Sequence, residues 1–189
     1  MGMPSQSSFD LIWRSLEDEM EDRADQGLEI SDHALWMEFF RGDRRYEIRV
    51  STGPGISCLV QVDQTAVDAA VDTEGIAGQE DYRGGCWLSV EFCVNGPASE
   101  PVDHWLLQRV VEEFWPDVDI HHESVMEARH DEGERFPLRP ETAEQIRHHH
   151  FRFTWLVGFE FADRITEFVD ALIETMRRLS ATVPPGRMI

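Results

Sequence analysis

The stretch 148-HHHFRFTWLVGFEFADRITEFVDALIETMRRLS-180 holds two apolar rhythms that meet near Ala162. In its first half Phe151, Phe153, Trp155, Val157, Phe159 and Phe161 alternate, so an extended chain places them all on one face. In its second half Ile165, Phe168, Val169, Leu172, Ile173, Met176 and Leu179 recur at three- and four-residue spacing and form one helical stripe. The pattern predicts an aromatic strand followed directly by a helix, both burying their apolar sides in a common core.

Upstream, Ser7 or Ser8 caps a predicted first helix with an apolar stripe of Phe9, Ile12, Trp13, Leu16 and Met20, and Gly27 ends it. Its other face is acidic (Glu17, Asp18, Glu19, Glu21, Asp22, Asp25), which reads first as a solvated face and second as a dock for arginine or lysine. Segments 35–41 and 44–51 predict a β-hairpin turning at Gly42 and Asp43, and 56–63 a third antiparallel strand. Residues 64–85 read as a flexible acidic loop with a short helix at 66–71. Cys86, Leu88, Val90, Phe92 and Val94 then alternate as a strand. A helix from Ser99 or Pro101 to Trp115 follows, with Val102, Leu106, Arg109, Val110 and Glu113 along one line and Trp105, Leu107, Val111 and Phe114 widening its apolar surface.

Pro116 stops that helix, and Val118, Ile120, His122 and Met126 predict a further strand. Segment 141–147 reads as one or two helical turns, and 182–189 as a loose tail. Together these elements predict an α+β fold in one domain, 1–189. An antiparallel sheet of about five to six strands carries three main helices in a two-layer sandwich.

The 189 residues carry 37 acidic and 17 basic side chains, a formal net charge of -20, and every basic residue is arginine. Without lysine, a P-loop, a Schiff-base mechanism and a kinase are excluded. Such acidity repels phosphate backbones and anionic lipid, so neither nucleic acid nor membrane is an expected partner, and a basic protein is. It also suits a salt-rich environment. No signal peptide or spanning helix is legible, and three cysteines without a C-x-x-C pair suit a reduced, cytoplasmic protein. Cys58 and Cys86 share the period of core residues. Cys93 falls on the opposite face from Cys86 and is the one thiol to test for reactivity.

Two sets of residues are candidates for function. Trp36 and Phe40 oppose Leu35, Met37 and Phe39, and Trp87 opposes Leu88, so aromatic side chains stand on both faces of their strands and imply cover by a partner or a second copy. The other set is histidine-rich. Asp117, Asp119 and His121 would project from one strand, and His148 and His150 from the last one. If those strands are neighbours, they supply ligands for zinc, manganese or iron, with Glu123 as a base. His122 and His149 share the apolar faces of their strands and read as hydrogen-bonded histidines at the edge of the core.

Other motifs fail. His121-His122-Glu123 has no P-C-x-x-C after it, and Gly53-Pro54-Gly55-Ile56 opens a strand rather than a helix. Asp117-Val118-Asp119 lacks the later calcium-loop positions, and no G-x-S-x-G occurs.

In element order the chain is similar to the small acidic chaperones of secretion systems. That family consists of α+β homodimers that hold an unfolded segment of a secreted protein. It is similar also to toxin-neutralising immunity proteins. The resemblance implies a non-catalytic module without a cofactor that binds a basic or partly unfolded protein, and it implies a homodimer. The alternative expectation is a metal-dependent hydrolase using the His/Asp set with zinc or manganese.

Overall fold

A computed structural model of the chain describes residues 7–37, 42–65, 85–97, 103–129 and 144–183. Ser7 caps helix α1 (Ser8–Asp22), its hydroxyl accepting the Asp10 amide at 3.2 Å. Arg44 donates to Asp10 Oδ2 (3.0 Å) and to the Ser7 hydroxyl (2.9 Å) and stacks over Phe9, which pins the start of α1 to the sheet. A short 3-10 turn, Ala24–Gln26, ends at Gly27, whose φ of 85° lies in the left-handed region that glycine occupies without Cβ strain.

The remaining elements are β1 (Glu29–Met37), β2 (Arg44–Gly53), β3 (Ile56–Gln64), β4 (Cys86–Pro97), α2 (His104–Phe114), β5 (His121–Arg129), β6 (Glu144–Val157), a 3-10 turn (Phe159–Arg164) and α3 (Ile165–Thr182). The six strands form one sheet in the order β1-β2-β3-β4-β6-β5, every neighbouring pair antiparallel. All three helices lie on one side of it, α3 packing against both α1 and α2. This is the two-layer α+β arrangement that the alternation and the helical stripes predict. No helix among the described residues is long and apolar enough to cross a membrane.

The core fills the space between the sheet and the three helices. All seven stripe residues of α3, which lies over β2 and β3, are buried, and Phe151, Phe153 and Val157 of β6 are buried on the same side of the sheet, where α2 packs. Trp115, just after α2, joins the layers. Its ring lies 5.1 Å from Phe153 and 5.6 Å from Phe168, and its Nε1 donates to Thr175 Oγ1 at 3.1 Å.

Several boundaries differ from the sequence expectations, each for a local reason. β6 ends at Val157, and Gly158 leads into the 3-10 turn, so Phe159 turns out to solvent while Phe161 still reaches the core. β6 begins at Glu144, so 144–147 is strand rather than helix, because pairing with β4 and β5 outweighs local helix propensity. β1 begins at Glu29, six residues before the predicted hairpin strand. Its exposed, polar first half shows no alternation, since an edge strand needs none.

On α2, Leu107, Val110 and Val111 face the core, while Leu106, Arg109 and Trp105 face outward. β5 begins at His121, and Asp117 and Asp119 lie in the turn before it. At the C-terminal end Thr182 closes α3, and Val183 is buried against the core rather than in a loose tail. The predicted helix at 66–71, and most of the 64–85 loop, lie outside the described residues, as do 184–189.

Candidate functional site

The helices cover one face of the sheet, and no described element covers the other. On that open face the register aligns Trp36, Arg45, Asp63, Trp87 and Leu156 in a single row across five strands. Trp36 is 49% exposed, Trp87 45% and Leu156 44%, and between the two tryptophans Arg45 Nε donates to Asp63 Oδ1 at 2.5 Å. Neighbouring strands lie about 4.8 Å apart, so the two indoles stand roughly 14 Å from each other across three spacings. At the β1 end of the row lies a cleft of about 610 Å³ lined by Trp36, Asp43, Arg44, Arg45, Glu47 and Asp63, with Gln64 and Thr65.

Trp36 and Trp87 therefore share one exposed surface, and Phe40 lies outside the described residues. Sequence reasoning missed Leu156. It stands on the polar side of β6, where a lone leucine among Arg152 and Thr154 is its only sequence signal.

The other end of the open face is a polar lattice. His148 Nδ1 donates to Asn95 Oδ1 at 2.7 Å, and its Nε2 stands 3.0 Å from Glu127 Oε2. His150 Nδ1 donates to Glu91 Oε1 at 2.7 Å, and Arg152 Nε donates to Glu91 Oε2 at 2.8 Å. Burial pushes the Glu91 carboxyl up, but its hydrogen bonds from Arg152 and His150 outweigh this and hold it below the usual carboxylate range.

His148 and His150 are thus held by different carboxylates, with ring centres 6.2 Å apart. His121 is opposite Arg152 in the register, and Glu123 is opposite His150. Asp117 and Asp119 do not extend from β5. Among the described residues no group of three or more His, Cys, Asp or Glu side chains is placed to hold a metal ion, so this set does not assemble as the metal expectation requires.

Cys93 points to the open face but is almost fully covered, and its Sγ donates to Asn95 Oδ1 at 3.1 Å. Burial, reinforced by the Glu91 carboxylate, pushes the thiol up to about 11, so at neutral pH it is protonated and unsuited to nucleophilic attack. Cys58 and Cys86 are fully buried, as their period predicts.

On the helix side His104, at the start of α2, stacks on His122 of β5 (5.1 Å between ring centres), and His122 stacks on His149 of β6 (5.5 Å). His122 Nε2 and His149 Nδ1 share a hydrogen bond of 3.2 Å, while His149 Nε2 is buried with no hydrogen-bond partner among the described residues. His122 and His149 are hydrogen-bonded at the edge of the core, and His104 is a third member that its sequence context does not reveal.

Comparison with protein-family models, with curated proteins and with solved structures found no match.

Proposed function

We propose that this chain is a non-catalytic acidic protein-binding module, chaperone-like or immunity-like in kind, that takes a basic or partly unfolded protein on the open face of its sheet. The single observation that carries this reading is the Trp36–Arg45–Asp63–Trp87–Leu156 row. Its two exposed indoles are the kind of aromatic anchor that dominates binding energy in protein interfaces, and an ion pair lies between them with Leu156 beyond.

Charge supports the choice of occupant. On the open face Asp32, Glu47, Asp63, Glu91, Glu123 and Glu127 outnumber Arg45, Arg49 and Arg152, and the whole chain carries -20. A cationic segment gains from this field, and an anionic one is repelled.

The test is a titration of the protein with a panel of unfolded synthetic peptides rich in arginine and leucine, followed by tryptophan fluorescence. Saturable binding that weakens with salt is expected, and Trp87→Ala should reduce affinity by about tenfold or more, the loss of a central aromatic anchor. If no peptide saturates the signal, or if Trp36→Ala and Trp87→Ala both bind like the parent protein, the reading is wrong.

A further inference from the structure

Among the described residues nothing pairs with the outer edge of β1 or of β5, so each rim presents a row of backbone N–H and C=O groups, and the two rims are guarded differently. On β5, Glu123 and Glu127 stand two residues to either side of Val125, so no long uncharged run is offered. On β1 the guard covers only the first half. Glu29 and Asp32 are there, and the register shift between Ile30 and Asp32 marks a bulge at Ser31, whose hydroxyl donates to the Arg49 carbonyl at 3.3 Å.

Residues 33–37 carry no carboxylate, no arginine and no proline, and their register with β2 is regular. Here apolar side chains are exposed on both faces, Leu35 (49%) and Met37 (67%) toward the helix side and Trp36 toward the open side. Open backbone and apolar surface on both faces of the same segment are satisfied together by one kind of ligand, another extended strand.

We propose that residues 33–37 of β1 accept an extended segment of a basic partner protein as a seventh strand of the sheet. The proposal rests on the protein-binding reading above and names the mode of binding. Two features select the partner's chemistry. Ala34, small and flanked on the open face by Asp32 and Trp36, is opposite Glu47 in the register, so a cationic side chain laid over Ala34 meets an indole and two carboxylates, which it shares with Arg45 and Arg49. On the helix side, Leu35 and Met37 call for apolar side chains at alternate positions. A segment alternating cationic and apolar residues therefore fits both faces. A second copy of this chain fits less well, because pairing β1 with β1 brings together two molecules of net charge -20.

The experiment uses the full chain and a nonapeptide of alternating leucine and arginine in three forms: unmodified, N-methylated at the backbone amides of one edge, and N-methylated along the other edge. Methylation of the pairing edge should weaken binding at least tenfold and methylation of the opposite edge should leave it unchanged. Amide hydrogen exchange at 34–37 should slow on binding. Equal affinity for all three peptides, or binding without protection of β1, overturns the strand-addition mode while leaving the open-face reading intact. Failure of every form to bind overturns the mode as well, and the Trp87→Ala titration then decides the broader reading separately. A dimer by sedimentation whose β1 amides are already protected without peptide also overturns it, in favour of a second copy.

Discussion

At the scale of single residues, stability and binding separate within three positions. Gly85 precedes β4 where the ends of three strands meet: its carbonyl accepts from Gln64 Nε2 at 3.0 Å, and a Cβ there would lie well inside van der Waals contact of the Val157 carbonyl oxygen on β6. The neighbour is backbone and cannot swing aside. Gly85→Ala should cost about 1–3 kcal/mol, the usual penalty for overpacking, read as a lower denaturation midpoint with unchanged slope. Trp87→Ala, on the open face, should change stability by only about 0.5 kcal/mol or less, so its effect on binding can be read in a folded protein.

Gly85 and Cys93 also mark what alternation leaves out. Sequence placed Cys93 on the outer face, and it is there, but the neighbouring Glu91, Asn95 and His150 cover it. Period reports direction, and only neighbours on adjacent strands report cover.

At the scale of elements, the imidazole stack sets how α2 meets the sheet under acid. Burial, then the like charges of His122, Arg147, His104 and His150, lower the His149 pKa from the usual histidine value to about 4. His122 is lowered too, by burial and then by His104, His121 and His150. A histidine whose folded pKa lies below its unfolded value of about 6.5 binds a proton in the unfolded state first.

The histidine contribution should therefore lower stability as pH drops from about 6.5 towards about 4 and change no further below that. Glu91, with its lowered pKa, supports the fold above about pH 4.5 and loses that support at lower pH, so the histidine effect stands alone in the upper part of the window. Denaturant midpoints measured across it should show the slope in the parent protein and a flatter line in His149→Phe, whose ring keeps the stack without titrating. An equal slope in both would show that the stack does not carry the effect. The sequence showed His122 and His149 each on the apolar face of its own strand, and their pairing comes from the structure. The sequence did not show His104, which arrives from a helix and whose position depends on how α2 crosses the strands.

At the scale of the whole molecule, the charge of -20 acts on folding and on binding with opposite signs. Self-repulsion opposes the compact state, and salt screens it over a Debye length of about 3 Å at 1 M against about 10 Å at 0.1 M. Raising NaCl over this range should increase stability by about 1 kcal/mol, a rise in Tm of roughly 2–4 °C for a chain of this size. The same change should weaken binding of a cationic peptide. A Tm that does not move would show that repulsion is already relieved within the fold, by pairs such as Arg44 with Asp10 and Arg45 with Asp63.

By itself the sequence determined most of the elements and, on β3, β4, β6 and α3, the side that avoids water: the β6 aromatics through Val157, the α3 stripe and the β3 and β4 alternations stand where their periods place them, and the cap of α1 falls on Ser7, one of the two serines offered. Those features depend on residues within a turn or two of each other, and local spacing encodes them. The tertiary structure alone decided the strand order, the gathering of all three helices on one face, and the alignment of residues as distant in sequence as Trp36 and Leu156 in one exposed row. Pairing register and helix placement arise from contacts between distant segments, and no single segment's pattern names its neighbour.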